Sequence, residues 1–327
     1  MAILVTGSSG HLGEALMRTL RSGGQAVRGI DINPSAFTDS VGSIADRGFV
    51  REAMVGISTV LHAATLHKPH IATNSNQDFL DTNLTGTLNL LEEAVSQGIG
   101  HFVFTSTTSA FGAALTPAAD GPAEWITEEV APIPRNIYGV TKIAAENLCE
   151  LFHRLHKLPV IVLRVSRFFA GAADNAALSG ELAQYNLQAN ELLYRRADIA
   201  DVVSAHLLAA EKAKAIGFGR YIISATTPFE KADLAALRRD AISVVQRLFP
   251  NCMSLYANRD WKLFPELDRV YVNQLARQEL GWQPEYDFRH VLACLEKGKV
   301  FRSQLAIDIG IRGSRPSALV ERADPVD

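Results

Sequence analysis

The chain is short of cysteine, of excess charge of either sign and of long apolar runs, and each shortage excludes a class of protein. Its three cysteines, Cys149, Cys252 and Cys294, lie far apart in 327 residues. They form neither a disulfide framework nor a CxxC zinc site, and they suit a reducing compartment. No metal is expected. Lys and Arg total 32 against 35 Asp and Glu, a net charge of −3, with no basic block. Holding a phosphate backbone or an anionic membrane takes clustered cations, so no nucleic-acid or membrane partner is expected. No apolar run approaches the ~18 residues of a membrane span. After Met1-Ala2 the chain goes straight into Ile3-Leu4-Val5, without the basic start and cleavage site of a secretion signal. Internal repeats and low-complexity tracts are missing too. The expectation is a soluble, cytoplasmic, globular protein large enough to bury a core.

What is present is an alternation of two periodicities. Short, nearly continuous apolar runs at Ile3–Thr6, Ala26–Ile30, Thr59–Ala63, His101–Ser106 and Pro159–Arg164 read as parallel strands covered on both faces. Between them, Leu12–Arg21, Phe79–Gln97 and Tyr138–His156 carry apolar residues at helical spacing, such as Leu12, Ala15, Leu16 and Leu20. Gly23-Gly24 and Gly98 stop the first two helices. Strand–helix–strand in series predicts right-handed crossovers and an α/β, Rossmann-type, doubly wound parallel sheet. A further helix is expected over Asp201–Ala213 and a strand over Arg220–Ser224, while from Thr226 onward the chain reads as helical and aromatic-rich. The division expected is a dinucleotide-binding domain of residues 1–165 with 198–224, and a smaller, mostly helical lobe of 166–197 with 225–310. Residues 311–327 read as a loose tail.

The first strand runs into Gly7-Ser-Ser-Gly10-His-Leu-Gly13 and directly into a helix. In that context Gly7 permits a tight turn, Gly10 lets the backbone approach a pyrophosphate, and Gly13 allows close helix–sheet packing. The helix N-terminus adds N–H groups and a positive dipole. A glycine-rich turn that binds nothing would look similar. Asp31, at the end of the second strand, can accept hydrogen bonds from a ribose and would repel a 2′-phosphate, which favours NAD over NADP. It could equally serve the turn before Asn33-Pro34.

Tyr138-Gly-Val-Thr-Lys142 opens a helix, so Tyr138 and Lys142 share one face. A free phenol, with a pKa of about 10, is a poor base at neutral pH. An ammonium one turn away favours the phenolate and is expected to lower that value. The same spacing is common on exposed helices. The hydroxyl cluster Thr105-Ser106-Thr107-Thr108-Ser109 ends a strand, where an open α/β sheet places its ligand crevice, although turn residues can carry such hydroxyls for their own backbone.

Taken in order, GSSGHLG at 7–13, Asp31, LHAAT at 61–65, TNLTGTLNLL at 82–91, VFTSTTSAFG at 103–112, YGVTK at 138–142 and LRVSRFF at 163–169 identify a resemblance covering nearly the whole chain. It is similar to the extended short-chain dehydrogenase/reductase family, the NAD-dependent epimerase/dehydratase group. The resemblance implies NAD as cofactor, with Gly7, Ser9, Gly10, His11, Leu12 and Gly13 around the pyrophosphate and Asp31 on the ribose. It places Ala63, Ala64 and Thr65 under the adenosine and ribose, Ser43 and Ile44 near the adenine, and Asn83, Thr105 and Val165 along the cofactor. It implies Thr107 as the catalytic hydroxyl, with Ser106 as the alternative, Tyr138 as the base and Lys142 as its partner. Thr107, Thr108 and Arg167 would face a small-molecule substrate, and a homodimer would form through the helices of 79–97 and 138–156.

Departures from the family pattern narrow that inference. Gly42-Ser43-Ile44 stands where the family usually has Gly-Asp, so the adenine contact is missing or falls to Ser43. Thr108-Ser109 replaces the Asp-Glu of the 4,6-dehydratases, and Arg164-Val-Ser-Arg167-Phe-Phe replaces the usual nucleotide-sugar motif. His67 and His70 could overhang a cofactor or sit in a solvated loop; two His without a carboxylate make a weak metal site. His206 reads as a helix-face residue. Arg167, Arg195 and Arg196 could form an anion pocket, and surface ion pairs explain them equally well. Asn83-Leu-Thr85 fits a glycosylation pattern, but it falls in a predicted helix and is set aside. The expected activity is NAD-dependent hydride transfer at a secondary alcohol or its ketone on a sugar-like substrate. The alternatives are an epimerase that retains its NAD and a non-catalytic NAD sensor.

Overall fold

Strand periodicity builds the fold, because alternate residues of each strand enter opposite cores. The computed structural model describes residues 2–169 and 181–310. Seven parallel strands, β1 (Ala2–Thr6), β2 (Val27–Asp31), β3 (Ser40–Val41), β4 (Ile57–His62), β5 (His101–Thr107), β7 (Val160–Val165) and β8 (Phe218–Ile223), lie in the order β3-β2-β1-β4-β5-β7-β8. Val5, Leu61, Val103, Ile161 and Leu163 pack with α1 (His11–Ser22) and α7 (Ile199–Ile216). Their neighbours Leu4, Val60, Phe102, Phe104 and Val162 pack on the other face with α2 (Arg47–Ala53), α4 (Gly86–Ser96) and α5 (Ile137–His156). Each fully buried Leu or Phe contributes on the order of 2 kcal/mol of transfer free energy, and these two layers hold the sheet between them.

The chain winds outward from β1 through β2 in one direction and through β4 in the other. The strand order therefore reverses between β1 and β4, and in such sheets the crevice beyond the carboxyl ends at that point takes the ligand. The doubly wound parallel sheet expected from the sequence is present.

Several elements differ from expectation. The helix expected over Phe79–Gln97 begins at α3 (Asn76–Phe79) and passes through a π-helical stretch at Leu80–Thr85 before α4. Two short elements, β3 and α2, were not anticipated; with two and seven residues they carry too little periodicity to be read. Beyond Thr226 the chain is not helical throughout. A second, two-stranded parallel sheet joins β6 (Glu124–Ile126) to β9 (Arg269–Tyr271).

A separate apolar cluster gathers Leu192, Leu193, Phe229, Leu237, Tyr256, Phe288 and Phe301. Trp282 instead joins the α1–α7 core, where its ring N–H donates to the Asp201 carbonyl at 3.1 Å and to the Ser204 hydroxyl at 3.0 Å. The tail expected at 311–327 and residues 170–180 of the expected smaller lobe lie outside the described residues. Among the described residues no helix is long and apolar enough to cross a membrane.

Candidate active site

The turn after β1 is shaped by contacts that only glycine allows. Gly7 has φ +72°, and a Cβ on it would lie 2.7 Å from the Ala64 nitrogen. At Gly13 a Cβ would fall 1.9 Å from the Gly7 oxygen, so α1 can start this close to the turn only without a side chain there. Gly10 is the N-cap of α1 and supplies no capping side chain to compete for the first-turn N–H groups. His11 and Leu12 open that helix, Leu12 with its side chain in the core.

Asp31 ends β2 beside this turn. One of its oxygens accepts from the Ser9 N–H at 3.0 Å and the other from the Asn33 N–H at 2.8 Å. Each carboxylate oxygen retains capacity for another donor. The Thr6 hydroxyl at the end of β1 accepts from the N–H groups of Ala63 (3.2 Å) and Ala64 (3.1 Å), which fixes the end of β4 against the glycine turn. The Ser43 hydroxyl accepts from the Ala45 N–H at 3.2 Å, and Ile44 is buried against Gly86.

Asn83 is occupied within the protein. Its amide oxygen accepts from the Thr65 hydroxyl at 2.9 Å and the Leu66 N–H at 2.8 Å, and its nitrogen donates to the Leu66 carbonyl at 2.9 Å. It is 2 % exposed, so it shapes the loop after β4 through that loop's backbone.

The hydroxyl run divides by strand alternation. The Thr105 hydroxyl pairs with His206 Nε2 at 2.9 Å across the α7 face. His206 Nδ1 lies 2.8 Å from the Val202 carbonyl and therefore carries the ring proton, so Nε2 accepts from Thr105. Burial pulls the His206 pKa down to about 4. Ser106 faces the opposite layer and donates to Glu146 at 2.5 Å. Thr107, at the strand end, accepts from the Ser109 N–H at 3.1 Å, and its hydroxyl lies close enough to the Tyr138 phenol to pull the phenol's pKa down. Thr108 is buried, near the Tyr271 phenol of β9. Thus β5 brings Thr107, and not Ser106, to the tyrosine.

Tyr138 and Lys142 occupy successive turns of α5, whose N-cap Asn136 accepts from the Gly139 N–H at 3.0 Å. Both side chains are buried. Burial pushes the Tyr138 phenol up to about 12, against a smaller downward pull from the Thr107 hydroxyl. This is the reverse of the downward shift expected from the spacing alone, because desolvation of the phenolate outweighs the other effects. The same burial brings Lys142 down to about 7, with Glu146 opposing it, and the Lys142 ammonium lies 4.2 Å above the Phe104 ring centroid.

Val165 ends β7 next to Thr107, its register partner. The following Ser166 hydroxyl is buried and has no hydrogen-bond partner among the described residues. Beyond it, Phe169 stacks on His67 at 5.7 Å and faces His11 at 5.6 Å, which ties the loop after β7 to the start of α1 and to the loop after β4. His67 is therefore packed, and burial lowers its pKa to about 4. Arg167, Arg195 and Arg196 converge on one buried carboxylate, Glu191, at 3.7, 2.6 and 2.7 Å. The three form an internal ion-pair cluster.

Sequence reasoning missed the network beneath the site. Glu146 accepts from Ser106 and from Arg164, whose Nη2 lies 2.8 Å away. The available signal was Arg164 itself, a charge within the fully buried strand Val160–Val165. Such a residue calls for a buried partner.

The chain belongs to the NAD dependent epimerase/dehydratase family, whose family model matches residues 3–223. It is 31 % identical over 181 residues to an NAD-dependent glucose-6-phosphate dehydrogenase of Haloferax volcanii, covering 50 % of this chain and 67 % of that one. It is 30 % identical over 167 residues to a UDP-glucose 4-epimerase of Erwinia amylovora, covering 45 % and 47 %. The match spans about half of this chain and of the epimerase. The fold is similar to that of a short-chain dehydrogenase/reductase superfamily protein from Agrobacterium tumefaciens crystallised with NAD. That likeness has a TM-score of 0.64 at 22 % identity and covers 91 % of this chain and 98 % of that one.

NAD is the cofactor of this family, and the residues here fit it. The glycine cradle would be filled by a Cβ at Gly7 or Gly13, the α1 N-terminus is uncapped by a side chain, and the Ser166 hydroxyl is unpartnered among the described residues at the mouth of the crevice.

Proposed function

We propose that the protein is an NAD-dependent oxidoreductase acting at a secondary alcohol or its ketone, on a sugar-like small molecule. The observation that carries this reading is the juxtaposition of Thr107, at the carboxyl end of β5, with the buried Tyr138 phenol, and Lys142 one turn further along α5. NAD, when bound, supplies the hydride acceptor. Tyr138 takes the proton of the substrate hydroxyl during oxidation and returns it during reduction, while Thr107 orients the substrate oxygen. Lys142 supplies the positive charge that favours the phenolate, which a buried phenol at about 12 requires. In this reading Gly7, Ser9, Gly10, His11, Leu12 and Gly13 hold the pyrophosphate and Asp31 the ribose. Residues 1–165 with 198–224 bind the cofactor, and 166–197 with 225–310 select the substrate.

The test is a screen of sugars, sugar acids and nucleotide sugars with NAD, following NADH and product together. NADH formed in step with a ketone supports the proposal. NAD that copurifies, with substrate inverted and no net reduction, would mean an epimerase. Full function in Tyr138→Phe would leave only the non-catalytic sensor.

A further inference from the structure

Glu146 stands one turn beyond Lys142, so Tyr138, Lys142 and Glu146 recur at four-residue intervals along one face of α5. Lys142 is 2 % and Glu146 1 % exposed. A buried carboxylate costs several kcal/mol unless it is paired and hydrogen-bonded, and Glu146 is heavily engaged. Ser106 of β5 donates to Oε1 at 2.5 Å. Arg164 of β7 forks onto both oxygens, Nε at 3.1 Å from Oε1 and Nη2 at 2.8 Å from Oε2. From β8, Arg220 Nε lies 3.4 Å from Oε2, while its Nη2 is bound to Glu150 at 2.6 Å. Three elements of the sheet thus fix this carboxylate.

We propose that Glu146 is a positioning residue for Lys142, a clamped counter-charge that holds the neighbouring side chain in its ammonium form. The inference rests on the functional reading above, in which that ammonium serves Tyr138. The groups facing Lys142 are few. Tyr138, Glu146 and Cys149 lie on its own helix, Phe104 and Ser106 on β5, and His62 on β4, with Arg164 and Arg220 behind Glu146. Burial disfavours the His62 cation, so it stands neutral, and burial likewise keeps the Cys149 thiol protonated. Among the described residues Glu146 is then the anion that opposes desolvation of Lys142. Its pull raises the lysine pKa, which burial has brought down to about 7. Without it, that opposition to burial would be lost.

Ser106 and Arg164 hold the carboxylate in place, and they account for a serine and an arginine at positions that would otherwise be apolar. A purely structural clamp would stabilise the fold and leave the lysine's ionisation alone. The two roles therefore separate by measurement.

The experiment is a pH titration of the Lys142 Nζ resonance by 15N NMR in the unliganded full chain, with the signal assigned by its loss in Lys142→Arg. Glu146→Gln is expected to lower the midpoint by about one unit or more. Because Glu146→Gln leaves Arg164 uncompensated and can cost stability, Glu146→Gln/Arg164→Gln is measured beside it, with the same direction expected. Ser106→Ala, which keeps the carboxylate, should leave the midpoint nearly unchanged. A midpoint unmoved in whichever glutamate variant is folded overturns the proposal. A lowered midpoint in a chain that turns over no substrate would support the coupling and count against the oxidoreductase reading.

Discussion

The side-chain amide of Asn83 donates to the Thr141 hydroxyl at 3.1 Å, tying the π-helical stretch before α4 to α5 between Tyr138 and Lys142. The same amide holds both backbone groups of Leu66. One buried residue thereby joins the loop after β4 to the helix carrying the proposed base. Asn83→Leu is close in size but leaves the Leu66 N–H and C=O without partners. Each buried unsatisfied group costs about 1–3 kcal/mol, so urea unfolding should register a loss of about 2–4 kcal/mol. NAD affinity should fall with it, although Asn83 itself is sealed from the crevice.

Gly10 and Gly13 separate ligand approach from packing. At Gly10 a Cβ would lie 3.1 Å from the Gly7 oxygen, which a shift of a few tenths of an ångström relieves. Gly10→Ala should fold within about 1 kcal/mol of the parent chain and still lose roughly tenfold or more in NAD affinity, because a methyl group stands where a pyrophosphate must approach the backbone. At Gly13 the clash at 1.9 Å is with backbone, so Gly13→Ala should itself be destabilised by about 2–3 kcal/mol. Parallel NAD titrations and thermal melts distinguish the two; equal NAD affinity in Gly10→Ala and the parent would contradict the assignment of the turn.

Tyr138→Phe removes one oxygen from a buried, well-packed ring. Turnover should drop by about two to four orders of magnitude, the usual worth of a positioned acid–base group, with NAD affinity nearly kept. Single-turnover kinetics on the substrate found by the screen would check this, and an unchanged rate would remove the phenol from the chemistry.

The sheet was legible in the sequence because its strands are continuous apolar runs separated by helical stripes. Residues such as Leu4 and Val5, or Phe104 and Val103, enter opposite cores, a pattern that only a doubly covered sheet requires. The pair β6–β9 was not legible: three residues each, separated by over a hundred positions, have no periodic signal. The triplet Thr107, Tyr138 and Lys142 could be named from spacing and resemblance, whereas its electrostatics could not. Whether a lysine one turn away lowers a phenol depends on how deeply both are buried, and Tyr138 is raised to about 12. The partners of Glu146 come from three strands distant in sequence, so no local pattern announces them.

His206 should give the fold a measurable acid sensitivity. Its pKa is about 4 in the folded chain and 6.5 when exposed, because burial opposes the charge. The unfolded chain therefore binds one more proton than the folded one between those values, so this contribution to stability is present above about pH 6.5 and is lost as pH falls toward 4. The slope it adds is about 1.4 kcal/mol per pH unit. Asp201, raised from 3.8 to about 7 by burial, acts oppositely: its protonated form favours the fold, and that stability is full below about pH 3.8 and declines as pH rises toward 7. Comparing the parent with His206→Gln isolates the first effect. The difference in unfolding free energy should grow by one proton's worth per pH unit from about 4 to 6.5, and parallel curves would exclude the buried neutral imidazole.

The outer face of α5 bears on the proposed homodimer. Val140 is 49 % and Leu155 65 % exposed, and Ala144, Leu148 and Leu151 between them are half-buried. Steps of four, four, three and four residues form a stripe of the kind that seats one helix against another. Beside it on α4, Leu88 and Val95 are also half-buried. Two copies related by a twofold axis would bring α4 and α5 of each together in a four-helix bundle, covering side chains that water otherwise meets. Val140→Glu/Leu155→Glu alters only exposed positions, so it should leave the monomer fold within about 0.5 kcal/mol while placing like charges at a self-facing surface. Sedimentation at micromolar concentration should give a dimer for the parent chain and a monomer for the variant. A parent chain that sediments as a monomer would instead mean that this stripe faces solvent, and the double substitution would then change neither mass nor turnover.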